Sequence, residues 1–270
     1  MLIEINGIKL HYHDEGEGLP ILLIHAFPLS GAMWDAQREE LRGDYRILTP
    51  DLRGFGQSEA PEGSYTMDQQ ADDMRALLDQ AGIDKAVLCG LSMGGYIALA
   101  FARRYPDRLA GLILADTRAG ADDEQGKQNR DRLAQLARDR GAAAVAGELL
   151  PKMFTTQTFE ENPGLIASTR YLMESQPVNG IVGALLGMRD RPDSTPMLGQ
   201  IRVPALIIVG DQDQLTPLSH AQTLQQGIPG ARLEQIENAS HLSNMERPAA
   251  FNQVLRSFLD PLRTALLQRM

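Results

Sequence analysis

The stretch Cys89-Gly90-Leu91-Ser92-Met93-Gly94-Gly95 lies between a short apolar run and a run of helix-forming residues. Residues 86–89 before it are apolar and few, as in a buried strand. Residues 96–104 after it favour a helix, which is predicted to end before Pro106. Strand, glycine-rich turn and helix in this order predict an α/β fold in which Ser92 occupies a sharp turn at the end of a strand.

A Gly-x-Ser-x-Gly sequence in this setting is the pattern of a nucleophile turn, in which the serine hydroxyl is exposed. Gly90 and Gly94 must lack side chains because the turn is so tight. Ser92 is predicted to be the nucleophile. The N–H of Met93, at a helix N-terminus, is predicted to stabilise an oxyanion. The alternative is a glycine-rich turn with an incidental serine, and the strand–turn–helix context favours the nucleophile.

The chain has 270 residues, of which 43% are hydrophobic, and a formal net charge of −9. That length supports one large α/β domain or two small ones. The acidic balance argues against a nucleic-acid partner, because phosphate binding requires clustered Lys and Arg. Four arginines recur in one segment, but Asp131 and Asp139 interleave with them, which indicates a solvated helix face. These arginines are Arg130, Arg132, Arg138 and Arg140.

The single cysteine, Cys89, excludes an intrachain disulfide and fits a reducing compartment. Residues 1–7 lack the basic and long apolar regions of a signal peptide. The sequence contains no apolar stretch long enough to cross a bilayer. These features predict a cytoplasmic protein without a membrane partner.

Strand and helix signals alternate along most of the chain. Leu2–Ile5 and residues 8–12 flank Asn6-Gly7, a strong hairpin signal. Pro20–Ile24 is a continuous apolar run, as expected of a strand buried on both faces. The alternation predicts a mostly parallel sheet that is covered on both faces and follows an antiparallel hairpin. Further strands are predicted at 45–50, 86–89, Leu109–Ala115, 203–209 and Arg232–Ile236, and helices at 31–41, 67–81, 96–104 and from Pro248.

The alternation stops between residues 121 and 200, where helical signals occur without a convincing strand. We predict a helical cap over 121–200, inserted into an α/β core formed by 1–120 and 201–270. Such an insertion would lie over the carboxyl ends of the strands, where doubly wound folds bind ligands. Its apolar side chains are candidates for a substrate pocket, although an apolar stripe at helical spacing usually packs a core. The candidates are Met153, Phe154, Met173 and Met188.

A serine hydroxyl is a weak nucleophile until a base removes its proton, and a third group must orient that base. The strand at 203–209 runs into Gly210-Asp211-Gln212-Asp213. We predict that Asp213 is the orienting acid and that Asp211 is a turn residue. Asp116, after the strand Leu109–Ala115, is an alternative acid.

Among the five histidines, His241 follows the last predicted strand and precedes the final helix. It completes the chain order serine, aspartate, histidine and is predicted to be the general base. His25 is predicted to anchor a loop. The second oxyanion donor is predicted to be the N–H of Phe27, since Pro28 cannot donate. The sequence contains no metal-ligand spacing, and no metal or organic cofactor is expected.

In this order the motifs resemble the α/β-hydrolase superfamily, and the resemblance covers essentially the whole chain. It implies a mostly parallel eight-stranded sheet flanked by helices. Ser240-His241-Leu242-Ser243-Asn244-Met245-Glu246-Arg247-Pro248 is similar to the histidine loop of 3-oxoadipate enol-lactonases. Phe27-Pro28-Leu29-Ser30-Gly31 is more similar to cofactor-free haloperoxidases and perhydrolases. Ala26 stands where the superfamily usually has glycine.

The residues and the resemblance together predict a serine hydrolase of the carboxylic ester hydrolase type. It would cleave a small, mostly apolar ester or lactone through an acyl-enzyme on Ser92. Alternatives with the same residues are a perhydrolase or cofactor-free haloperoxidase and a carbon–carbon bond hydrolase. The non-enzyme alternative is a ligand-binding receptor with a hydrolase pocket. We expect a monomer or a homodimer, with the apolar segment after Pro261 a candidate contact to the domain or to a second subunit.

Overall fold

The computed structural model describes residues 1–267, with side chains described through residue 265. The strands are β1 (Leu2–Ile5), β2 (Ile8–Glu15), β3 (Pro20–Ile24), β4 (Arg46–Pro50), β5 (Ala86–Leu91), β6 (Leu109–Ala115), β7 (Ala205–Gly210) and β8 (Arg232–Ile236). The helices are α1 (Asp35–Leu41), α2 (Met67–Gln80), α3 (Met93–Arg104), α4 (Glu124–Leu149), α5 (Thr156–Glu161), α6 (Pro163–Glu174), α7 (Val178–Arg189), α8 (Leu218–Gly227), α9 (Ser243–Glu246) and α10 (Pro248–Leu267).

Within residues 1–267 the strands form one eight-stranded sheet in the order β1-β2-β4-β3-β5-β6-β7-β8. β2 pairs antiparallel with β1 and with β4. The five remaining pairs, from β4-β3 to β7-β8 along the sheet, are parallel. Asn6 and Gly7 both have positive φ in the first hairpin, as a tight two-residue turn requires. The predicted fold, a mostly parallel sheet after an antiparallel hairpin, is confirmed.

Alternate side chains of β3 enter two separate cores. Leu22 and Ile24 pack in the core that includes residues of α2 and α3. Ile21 and Leu23 pack in the core that includes residues of α1 and α10. A strand buried on both faces has no polar face, which explains the apolar run. Burying each such side chain contributes about 1.5–3 kcal/mol, so the centre of the sheet is a firm support for the loops at its ends.

Four helices, α4 to α7, lie between β6 and β7 in the chain. α4 is interrupted at Gly141, where φ is 76°. α7 approaches the loop before α2 so closely that the N–H of Tyr65 donates to the carbonyl of Gly183 at 2.9 Å. A Cβ on Gly187 would collide with the carbonyl oxygen of Tyr65, so only glycine allows this approach. The division into a core and a separate cap at residues 121 and 200 stays a prediction.

The final helix, α10, continues through Pro261 to Leu267. Leu262 packs against the core shared by α1 and α10, so the first part of the predicted tail contacts the domain itself. Residues 268–270 of that tail lie outside the described residues. In the part of the chain that the structure describes, no helix has both the length and the apolar character needed to cross a membrane.

Candidate active site

The predicted site residues follow the carboxyl ends of different strands. Ser92 comes directly after β5, Asp213 follows β7 and His241 follows β8. Because these strands are parallel, their carboxyl ends meet at one edge of the sheet, where α/β folds place ligands. The sheet therefore brings together side chains that are far apart in the sequence.

The turn between β5 and α3 holds Ser92 in an unusual backbone conformation, with φ 54° and ψ −111°. Such conformations cost about 1–3 kcal/mol for a non-glycine residue and persist only where the surroundings enforce them. A Cβ on Gly94 would collide with the carbonyl of Ile24, so the start of α3 can pass β3 only if that residue is glycine. The Ser92 N–H donates to the carbonyl of Ala115 at 3.0 Å, which attaches the turn to the neighbouring strand.

Ser92, His241 and Asp213 form a continuous series of hydrogen bonds. Nε2 of His241 lies 2.8 Å from Oγ of Ser92, and Nδ1 lies 2.8 Å from Oδ2 of Asp213. With the Nδ1 proton donated to the carboxylate, Nε2 is left to accept from the serine hydroxyl. This is the arrangement that a serine needs to lose its proton as it attacks a carbonyl carbon.

Asp213 is buried, yet its carboxylate is fully supplied with donors. Oδ1 accepts from the N–H groups of Leu215 and Thr216 at 2.8 and 3.0 Å, and Oδ2 accepts from the Thr216 hydroxyl at 2.5 Å. Burial alone would raise the pKa of Asp213, but the charge and hydrogen bond of His241 and the Thr216 bonds outweigh it and lower the pKa to about 2. Burial alone would lower the pKa of His241, but Asp213 outweighs that effect and raises it. The resting pair therefore favours a charged imidazolium more than an isolated histidine would.

Asp116, the alternative acid, has a different set of partners. Its Oδ1 accepts from the N–H of Gly210 at 2.8 Å, and its Oδ2 forms a hydrogen bond of 2.5 Å with Oγ of Ser243. The side chain is completely buried, and burial followed by the nearby charge of Asp213 raises its pKa to about 8. Asp213, not Asp116, accepts the hydrogen bond from Nδ1 of His241, and Asp116 instead connects the loops around the site.

Of the two predicted oxyanion donors, Met93 directly follows Ser92 in the chain, and Phe27 lines the same cavity as Ser92. Met93 is the first residue of α3, and Phe27 follows β3 in the loop that Gly94 approaches. Among the residues that the structure describes, no carbonyl or side chain accepts from either N–H. The N–H of Ala26, the residue beside Phe27, instead donates to Sδ of Met33 at 3.1 Å.

His25 anchors this loop from a fully buried position. Its Nδ1 lies 2.9 Å from the carbonyl of Ala26, and its Nε2 accepts from the N–H of Leu52 at 3.0 Å. Burial lowers its pKa to about 4, so the ring is neutral at physiological pH. These bonds use both ring nitrogens, which leaves neither available as a base.

A cavity of about 180 Å³ adjoins Ser92 and His241. Met153 and Met188 line it, as predicted. Phe154 and Met173 are not among its lining residues, so the cavity does not support their assignment to a substrate pocket, which stays a prediction. Both are buried in the core shared by α1 and α10. The same core includes Leu150 and Ile166 of the insertion, and Phe154 also contacts Phe159 edge to face.

The lining of the cavity also includes cationic side chains, which the sequence pattern did not indicate. Arg118, Arg130 and Lys152 line the cavity together with Asp122. The carboxylate of Asp122 is buried and pairs with Arg130 at 3.1 Å, with Arg191 at 3.0 Å and with Arg118. One carboxylate thus balances three guanidinium groups, and the Lys152 charge adds to the excess. Arg130 was assigned to a solvated helix face because of its acidic neighbours, but the start of α4 turns it towards the cavity.

A metal site is not formed by the described residues, since no group of three or more His, Cys, Asp or Glu side chains among them is arranged to hold an ion.

Comparison with known proteins agrees with this fold and this order of motifs. A family model for the alpha/beta hydrolase fold matches residues 20–248. The chain belongs to the α/β-hydrolase family. The resemblance inferred from its motifs is confirmed.

Three similar proteins match nearly the full chain. A thermophilic esterase from Thermogutta terrifontis, solved with malate bound, is 43% identical, with a TM-score of 0.94 and 97% of each chain covered. An enol-lactonase from Burkholderia xenovorans is 34% identical, with a TM-score of 0.91, covering 96% of this chain and 100% of that one. The 3-oxoadipate enol-lactonase 2 of Acinetobacter baylyi is 33% identical over 254 residues, 93% of each chain.

Proposed function

We propose that this α/β hydrolase is a serine hydrolase that cleaves carboxylic esters or lactones through an acyl-enzyme on Ser92. The observation that carries the proposal is the hydrogen-bonded series from Ser92 through His241 to Asp213 beside a cavity. The esterase and enol-lactonase names of its relatives support it, because both reactions break a carboxylic ester bond.

In the proposed reaction, His241 Nε2 removes the hydroxyl proton of Ser92 as Oγ attacks the carbonyl carbon. The N–H groups of Phe27 and Met93 hold the developing oxyanion, and Asp213 stabilises the imidazolium. The imidazolium then protonates the leaving oxygen, which departs as an alcohol or, in a lactone, stays attached as a hydroxyl. Water, deprotonated by His241, releases the acid and restores Ser92.

The test is a set of p-nitrophenyl esters of acetate, butyrate and hexanoate together with an enol-lactone, each assayed with wild type and Ser92→Ala. We expect Ser92→Ala to lower kcat by at least about 10⁴-fold, because the nucleophile is lost while the fold is kept. Ser168→Ala, at an exposed position of α6, is the matched control. Ester turnover by Ser92→Ala near the wild-type rate would refute the mechanism.

The same assays separate the rival functions. Bromination of an activated substrate that requires hydrogen peroxide and is lost in Ser92→Ala would favour a perhydrolase or haloperoxidase. Faster cleavage of a ring-cleavage diketone than of any ester would favour a carbon–carbon bond hydrolase. Binding without turnover of any substrate would favour a receptor.

We further propose that the natural ester or lactone carries a second, anionic group. The apolar residues that line the cavity suit the small apolar substrate predicted from the sequence. The cationic residues of the lining add a place for a carboxylate. The guanidinium groups of Arg118 and Arg130 suit carboxylate geometry. The similar esterase from Thermogutta terrifontis was solved with malate, a dicarboxylate, bound. That finding supports an anionic substrate for the present chain.

Two matched ester pairs test the charge preference. One is p-nitrophenyl butyrate against p-nitrophenyl hemisuccinate, and the other is phenyl butyrate against 4-carboxyphenyl butyrate. We expect a higher kcat/KM for the anionic member of at least one pair. Lys152→Met should reduce that preference about threefold to tenfold and leave the neutral ester within about twofold. Lys85→Met, which removes the same charge at the other end of β5, should change neither.

Added salt provides an independent check on that preference. Because partly exposed charges are screened, raising the ionic strength should lower the anionic preference of wild type. Preference for the neutral member of both pairs would contradict the anionic substrate while leaving the serine mechanism intact.

A further inference from the structure

Glu246 is a buried carboxylate beside the candidate site that the proposed reaction does not use. It is the last residue of α9 and lies five positions after His241. Its Oε2 accepts from the N–H of Ser240, the residue immediately before His241, at 2.6 Å. One end of this carboxylate therefore holds the backbone that carries the histidine.

The other oxygen of Glu246 is bound to the helical insertion. Oε1 accepts from the N–H and the hydroxyl of Thr155 at 2.8 and 2.6 Å. It also accepts from the hydroxyl of Thr158 at 2.5 Å. Thr155 is the N-cap of α5, so these bonds fix where that helix begins.

A second contact joins the same two segments. The N–H of Leu242, the residue after His241, donates to the carbonyl of Met153 at 3.2 Å. Met153 lines the cavity, and Thr155 follows it by two positions. The histidine is thus bracketed by two contacts to the stretch that forms one wall of the cavity.

We propose that Glu246 is a positioning residue that holds His241 and the Met153 wall of the cavity in one fixed register. This inference rests on the proposed ester hydrolysis and adds to it that base placement and acyl-chain selectivity depend on one carboxylate. Its four donors reach it from both segments, so a displacement of the wall is transmitted to Ser240 and from there to His241. Buried hydrogen-bonded networks of this kind hold their members in place more tightly than isolated pairs.

Two variants separate the two ends of this link. Thr158→Val removes one hydroxyl donor on the insertion side and keeps the side-chain shape. Glu246→Gln keeps the length of the side chain but replaces one acceptor oxygen by an NH₂ group that faces donors. The matched control is Thr169→Val on α6, a buried threonine whose hydroxyl has no hydrogen-bond partner among the described residues.

The measurements are kcat and KM for p-nitrophenyl acetate and hexanoate, with thermal melts to verify folding. We expect Glu246→Gln to lower kcat for both esters about tenfold or more. Thr158→Val should change the hexanoate-to-acetate ratio of kcat/KM about threefold while kcat for acetate falls less than about twofold. Thr169→Val should leave both quantities at wild-type values.

Coupling is read from the double variant Glu246→Gln/Thr158→Val. The ratio change caused by Thr158→Val should disappear in the Glu246→Gln background, because the hydroxyl then has no carboxylate to act through. An unchanged ester ratio in Thr158→Val, or purely additive effects, would overturn the proposal. If Glu246→Gln does not fold, the Thr158→Val ratio decides alone.

Failure of this inference is distinguishable from failure of the proposed function. Absence of Ser92-dependent ester hydrolysis in wild type would refute the function before any variant is compared. Ser92-dependent hydrolysis with wild-type behaviour in Thr158→Val and Glu246→Gln would refute the register alone.

Discussion

At the scale of single residues, the neighbours of Asp213 and His241 change the pKa values of these two side chains. Asp213 is a carboxylate whose pKa is lowered to about 2, and the pKa of His241 is raised above its ordinary value of 6.5. Each partner stabilises the charged form of the other. In the proposed reaction, the unprotonated histidine that accepts the Ser92 proton therefore forms as the pH rises through this raised pKa.

The first prediction at this scale concerns the pH profile of ester hydrolysis. In wild type, kcat/KM should rise with pH through a midpoint above 6.5, where the imidazolium loses its proton. Asp213→Asn removes the charge that raises this pKa, so the midpoint should move to lower pH. The plateau rate should fall by about 10⁴-fold, because the histidine loses its oriented tautomer.

Asp211→Asn is the control for that profile, since it neutralises a carboxylate two positions away that accepts from the backbone N–H of Ala239. Its midpoint should match wild type. A wild-type profile in Asp213→Asn would show that another group orients His241.

At the scale of elements, the buried carboxyl of Asp116 connects the ends of neighbouring strands through hydrogen bonds. Asp116 directly follows β6 and has a positive φ of 44°. Its carboxyl is hydrogen-bonded to Gly210 at the end of β7 and to Ser243 in α9. Its burial is complete, and its pKa is raised to about 8, so the folded protein holds a proton there that the unfolded chain loses near pH 4. The carboxyl therefore connects three elements around His241 in a protonated state at neutral pH.

Asp116→Asn tests this linkage through stability. Between about pH 4 and pH 8 the native state binds more protons than the unfolded state, so the wild-type free energy of unfolding should fall as pH rises. Asparagine cannot titrate and keeps an oxygen for the Gly210 N–H. Between pH 5 and pH 8, the free energy of unfolding of wild type should therefore fall by on the order of 1–4 kcal/mol more than that of the variant. Denaturant unfolding at the two pH values measures this difference.

Asp139→Asn, at an exposed position of α4, is the control for the effect of losing one acidic group. Its free energy of unfolding should change with pH as that of wild type does. Parallel pH dependences of wild type and Asp116→Asn would mean that Asp116 is ionised in the folded protein throughout this range.

At the scale of the whole molecule, local arrangement overrides average composition. The chain carries a net charge of −9, yet the lining of its cavity includes the cationic side chains of Arg118, Arg130 and Lys152. The insertion that supplies two of them, Arg130 and Lys152, is held to the domain by backbone contacts at the glycines of α7 and by Glu246. A net charge thus describes long-range attraction and repulsion, whereas the groups within a few ångströms of the ligand decide what the cavity accepts.

The sequence by itself determined the strand, turn and helix around Ser92 and the order in which Asp213 and His241 follow it. Those features depend on local patterns: apolar runs make buried strands, and glycines permit a turn that other residues cannot make. Because parallel strands end at a common edge, their order along the chain sufficed to predict which side chains the fold brings together.

Only the tertiary structure shows what each of the two carboxyls contacts: Asp213 lies 2.8 Å from Nδ1 of His241, whereas Asp116 contacts Gly210 and Ser243. It also decided that Met153 and Arg130 face the cavity while Met173 packs in a core. The direction of a side chain on an inserted helix depends on how that helix packs against elements distant in the sequence. Local periodicity shows which face of such a helix is apolar, but it does not show what that face contacts.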